Sequence, residues 1–66
     1  MKIRFKRFHG ETIAYIQPID AITAQCYAHE GQHFEMDRRT IANAPTASRA
    51  EQIPLMRELQ SIGYDI

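Results

Sequence analysis

The chain has 66 residues, Lys plus Arg 8 against Asp plus Glu 8, and one cysteine, Cys26. A chain this short makes one domain at most and buries only about 60% of its unfolded surface, so it gains from self-association or from docking on a partner. A single cysteine excludes an intrachain disulfide and a cysteine-rich zinc site, and the charge balance excludes a global field drawing the protein to nucleic acid or to an anionic membrane.

No apolar run approaches the ~20 residues of a membrane span, and the N-terminus lacks the apolar core of a signal peptide. With a free thiol suited to a reducing compartment, residues 1–66 read as one cytoplasmic domain.

Residues 1–8 alternate Ile3 and Phe5 with Lys2, Arg4 and Lys6, the period of a half-buried strand. Residues 11–17 are rich in β-branched and aromatic side chains and stop at Pro18. Phe8-His9-Gly10 between them predicts a three-residue loop with Gly10 left-handed, setting Arg7 opposite Glu11 and Phe5 opposite Ile13. That register gives one face of Ile3, Phe5, Ile13 and Tyr15. The other carries Lys2, Arg4, Lys6, Thr12, Ala14 and Ile16.

The next segment admits two forms. As a hairpin, residues 23–28 and 32–38 flank the loop His29-Glu30-Gly31, with Cys26 opposite Phe34, Ala24 opposite Met36, Tyr27 opposite His33 and Ile22 on the apolar side. As a helix, Asp20 would be the N-cap and Gly31 the residue after the C-cap. Thr23, Cys26, Tyr27 and the alternation of Phe34 and Met36 favour the hairpin. Its last strand is expected to run on through Ile41.

Asn43-Ala44-Pro45-Thr46 then makes a loop, and Ser48-Arg49-Ala50-Glu51 fits a capping box. Leu55, Met56, Leu59 and Ile62 form the apolar stripe of a helix ended by Gly63, with Pro54 either kinking it or beginning a shorter one. The expected fold is α+β: a four-stranded antiparallel meander of two hairpins with one C-terminal helix on one face. The second face is expected to lie open, with Ile16, Tyr27 and His33 on it.

His29-Glu30-Gly31-Gln32-His33 resembles the H-E-x-x-H motif of the zinc-dependent metallopeptidases. The resemblance implies zinc on His29 and His33 and Glu30 as general base, chemistry that needs a helix to place both imidazoles on one side of the metal. Gly31 inside the motif costs about 1 kcal/mol in a helix, and a catalytic zinc needs a third protein ligand. The motif therefore reads as turn residues and the chain as non-enzymatic, with no catalytic residue assigned. Cys26, without a cationic neighbour in sequence, reads as a small buried hydrophobe, and Arg57 and Glu58 as solvent-facing.

The expected function is a binding or regulatory module that docks on a protein partner or on a second copy of itself, a size that also suits an inhibitor or accessory protein of phage or plasmid type. Tyr15, Ile16, Tyr27 and His33 are the candidate contact residues. The alternative is nucleic-acid binding through Lys2, Arg4, Lys6, Arg7 and Phe8, a strand presenting cations and an aromatic ring.

Overall fold

The structure, a computed structural model, describes residues 3–29 and 31–66. Among these residues four antiparallel strands follow in chain order, β1 Arg4–Phe8, β2 Glu11–Pro18, β3 Thr23–Ala28 and β4 Gln32–Asp37, and neighbours in sequence are neighbours in the sheet. Two helices complete the fold, α1 Arg38–Asn43 and α2 Arg49–Ser61. The expected α+β meander with a C-terminal helix is the observed one. Among the described residues, no helix is long and apolar enough to cross a membrane.

The first hairpin differs from expectation by one residue. Phe8 pairs with Glu11, so the turn is only His9-Gly10, and both residues have positive φ, 50° and 77°. That is the pattern of a type I′ turn, whose twist matches the strands it joins. Lys6 therefore lies opposite Ile13 and Phe5 opposite Ala14. The parity of β2 is reversed: Ala14 and Ile16 join Phe5 on one face, while Ile13 and Tyr15 join Phe8 on the other. A slip of one residue moves every side chain to the opposite face.

Between Tyr15 and Gln17 the β2–β3 register shifts, leaving Ile16 as the extra residue of a bulge. Ile16 can then point into the same core as Ala14, while Gln17 faces Gln25 and bonds its side chain at 3.3 Å. The β3–β4 register is as expected, with Cys26 opposite Phe34, Ala24 opposite Met36 and Tyr27 opposite His33. Ile22 departs from it. The Asp20 carboxylate accepts from Ile22 N at 2.9 Å and Thr23 N at 2.8 Å, and the resulting turn holds Ile22 out, 72% exposed.

Both faces of the sheet are covered, contrary to the expected open second face. Under α2 lie Phe5, Ala14, Ile16, Tyr27 and Ala47 with Leu55 and Leu59. The opposite face packs Ile13, Ala24 and Cys26 against Ile41 of α1, flanked by Phe8, Tyr15, Phe34, Met36 and Ala44. The last strand does not run on through Ile41, because Asp37 turns the chain into a helix. Its carboxylate accepts from Thr40 N at 2.9 Å and Thr40 Oγ1 at 3.2 Å.

The capping box of α2 is present, Glu51 N to Ser48 Oγ at 3.2 Å and Ser48 N to Glu51 Oε1 at 2.7 Å. Pro54 sits inside one continuous helix, where its ring and the Ala50 carbonyl it would have bonded are on exposed residues that water can reach. At the far end Tyr64 N reaches Leu59 O at 3.1 Å and Gly63 N reaches Gln60 O at 3.2 Å, a Schellman turn through Gly63 at φ 112°. Ile62 falls outside the buried stripe and is 51% exposed.

Five of these hydrogen bonds fall on three titrating carboxylates. Backbone N–H bonds hold Asp20 and Asp37 below their ordinary 3.8 and Glu51 below its ordinary 4.5. A carboxylate depressed by folding contributes stability that is complete above its unfolded value and is lost as pH falls through the folded one. The melting temperature is therefore expected to drop on acidification below that range. Asp37→Asn, which keeps an acceptor at the α1 cap but does not titrate, should flatten that acid limb; thermal melts across the acid range read the difference.

Candidate protein-docking edge

A four-stranded open sheet has two edges, and this chain treats them differently. After α1 crosses the second face, residues 45–47 run along the outer side of β1. Arg7 N donates to Pro45 O at 2.8 Å, Ala47 N donates to Phe5 O at 2.9 Å, and Thr46 forms a bridge with Lys6. The edge of β1 is closed by its own chain. On β4 the only ladder is the one to β3, and among the described residues none pairs with its outer side.

The open strand is Gln32-His33-Phe34-Glu35-Met36-Asp37, six residues without proline or lysine. Alternate residues of an edge strand turn N–H and C=O outward, a template for another strand. Phe34 and Met36 are half-buried on the α1 side, whereas His33 and Glu35 stand on the α2 side beside two isoleucines. Ile62 shares a hollow with His33, and Ile19 shares another with Gln25, His33 and Glu35. Ile19 and Ile62 are 49% and 51% exposed, and both lie near His33.

A polar bracket ties this hairpin to the end of α2. His33 Nε2 lies 2.9 Å from the Tyr64 hydroxyl, and the His33 ring meets Tyr27 edge-on at 4.8 Å. A hydrogen bond to the Glu58 carboxylate is the main cause raising the Tyr27 hydroxyl above its ordinary pKa, with burial adding to it. His29 Nδ1 approaches the same carboxylate at 3.5 Å. Glu58 thus faces inward and joins two residues of β3 and its loop to α2, contrary to the solvent placement expected of it.

The candidate contact residues do not form one surface. Ile16 and Tyr27 are 4% and 1% exposed and belong to the core under α2; Tyr15 is half-buried on the opposite face. Only His33 reaches the open edge. The misplacement arises because α2 packs on the face of Ile16 and Tyr27, which was expected to lie open, while α1 covers the opposite face.

The basic residues are also dispersed. Lys6 is 9% exposed, its Nζ donating to Ala42 O at 3.2 Å and Ala44 O at 3.3 Å at the C-terminal end of α1. Arg7 pairs with Glu51 at 3.5 Å, and Phe8 is half-buried with its ring edge-on to His9. Arg4 is exposed, and Lys2 lies outside the described residues.

The helix that the H-E-x-x-H resemblance requires is absent: His29 lies in the loop after β3 and His33 on β4. Each histidine contacts a different side chain of α2 or the tail after it, and Glu30 lies outside the described residues. Burial pushes the Cys26 thiol up to about 11, in keeping with a packing role.

Residues 34–36 were not singled out from the sequence as an interaction element, since Phe34 and Met36 read as core. The one local signal was Asp37 three residues before Thr40, an N-cap spacing that ends the strand. Comparison with protein-family models, with characterised proteins and with solved structures finds no match to this chain.

Proposed function

We propose that this chain is a non-enzymatic protein-docking module that pairs an extended strand with β4. The observation that carries the reading is the difference between the two edges: β1 is sealed by residues 45–47, and β4 is left with its outer hydrogen-bonding row unpaired among the described residues. Strand addition draws affinity from main-chain hydrogen bonds and specificity from side chains on either side of the new strand. His33 and Glu35 supply polar contacts here, and Ile19 and Ile62 supply apolar ones.

A nucleic-acid role is less well supported. Lys6 is withdrawn into the fold and Arg7 is ion-paired, so the basic strand does not present a row of cations.

The test is recovery of partners by the tagged full chain from its host, with and without nuclease, for the wild type and for Glu35→Lys. Glu35 is exposed, and lysine on an outer edge opposes strand addition. The expected result is a stoichiometric protein that survives nuclease and is lost by roughly tenfold or more in the variant. Equal recovery by both forms, or recovery only with nucleic acid present, would overturn the docking reading.

A further inference from the structure

We propose that the strand received by β4 is β4 of a second copy, in an antiparallel two-fold pairing centred on Phe34. The proposal rests on the docking reading above and specifies its partner.

Symmetry restricts the register before chemistry does. Two antiparallel copies of one edge strand are related by a two-fold axis normal to the sheet, which leaves each face on its own side. Directly opposed residues must share a face, so the axis passes beside a residue and not between two. Of the six residues of β4, five are paired when the axis lies at Phe34 and five when it lies at Glu35.

Charge separates the two. Centring on Glu35 sets that carboxylate against its own copy, and like charges directly opposite destabilise a ladder. Centring on Phe34 sets His33 opposite Glu35 of the second copy, twice, on the α2 side. Phe34 then meets Phe34, and Gln32 meets Met36, on the α1 side. The hydrogen bonding of His33 suits this. Its Nε2 is already 2.9 Å from the Tyr64 hydroxyl. With Nε2 accepting from that hydroxyl, Nδ1 carries the proton and donates to the incoming carboxylate.

The exposed isoleucines give an independent match. Ile62 lines a hollow with His33, and Ile19 lines one that His33 and Glu35 share. The axis that brings His33 to Glu35 of the second copy also brings Ile62 towards Ile19 of that copy, twice. Two of the large aliphatic residues that the monomer leaves in water are thereby covered. The product is a continuous eight-stranded sheet whose two free edges are both β1, each already sealed by residues 45–47. Assembly stops at two copies.

Sedimentation equilibrium of the full chain and oxidative cross-linking test this together. The expected result is a dimer, with Glu35→Lys raising its dissociation constant by about tenfold or more. Phe34→Cys should cross-link to itself, since directly opposed positions bring their Cβ atoms close to disulfide range. Because Phe34 is half-buried, a mixture of His33→Cys with Glu35→Cys supplies the second probe, and it should cross-link only between the two variants. Because native Cys26 lies directly opposite Phe34 on β3 and could pair with a thiol placed there, all cross-linking variants carry Cys26→Ala.

A monomeric wild type, or self-cross-linking of Glu35→Cys in place of Phe34→Cys, would overturn the proposed pairing. A monomer whose Glu35→Lys variant still sheds a host protein overturns self-pairing and leaves strand docking standing. A dimer unaffected by Glu35→Lys, with host partners equally retained, overturns both.

Discussion

Ile41→Ala is expected to cost about 2–5 kcal/mol, the usual range for removing a large aliphatic side chain from a core. For a chain of this length the whole stability is about 3–10 kcal/mol, so the variant should be close to unfolding at physiological temperature. The effect is large because Ile41 is the only buried residue of α1 and is fully inaccessible to water. A helix of six residues has no standing of its own in solution, since nucleation outweighs the few hydrogen bonds it makes. Without Ile41 to hold it on Ile13, Ala24 and Cys26, α1 should detach and uncover that face.

The measurement is a thermal melt together with amide exchange. The melting temperature should fall by about 4–8 °C for each kcal/mol lost, and protection of β3 and β4 should fall with it. A melt shifted by less than about 4 °C would mean that α1 adds little to the sheet.

The second large effect is expected at Lys6. Lys6→Glu replaces an ammonium that donates to Ala42 O and Ala44 O with a carboxylate facing the same oxygens. The cation also lies at the negative end of α1, where a positive charge is favoured and a negative one is not. An uncompensated charge at a position only 9% exposed should cost about 3–5 kcal/mol. The local consequence is as informative as the size. Thr46 bridges Lys6, and its neighbours bond Arg7 and Phe5, so displacing this segment uncovers the edge of β1.

Lys6→Glu should therefore aggregate through a second open edge as it destabilises, whereas Lys6→Gln, which keeps a donor, should be milder on both counts. Denaturant melts and sedimentation velocity of the two variants distinguish these outcomes. Equal stability of Lys6→Glu and the wild type would show that the ammonium does not hold residues 42–47 in place.

The proposed strand dimerisation and the closure of β1 would be parts of one design. A sheet with two open edges would polymerise; sealing one edge with residues 45–47 leaves a single strand for docking. The sealing depends on α1, because only a crossing over the second face returns the chain from β4 to the side of β1. The residues that stabilise the domain, Ile41 and Lys6, thus also determine which edge is presented.

Local signals determined much of this architecture. Alternation marked the strands, the β3–β4 register followed from Cys26, Tyr27, Phe34 and Met36, and the capping box and Gly63 marked the ends of α2. These features depend on neighbours a few residues apart, whose spacing is visible in the chain itself.

The tertiary structure decided what depended on distant partners. A lysine in the first strand argues for solvent until the carbonyls at 42 and 44 are brought to it, more than thirty residues away in sequence. The two-residue turn at His9-Gly10 puts Lys6 on that side of the sheet, and α2, arriving from the far end of the chain, buries Ile16 and Tyr27 on the other. Glu58 likewise faces inward because Tyr27 and His29 meet it. The open edge proposed for docking belongs to the same class: a strand is an edge only because the rest of the chain has gone elsewhere, and no local pattern in residues 32–37 carries that information.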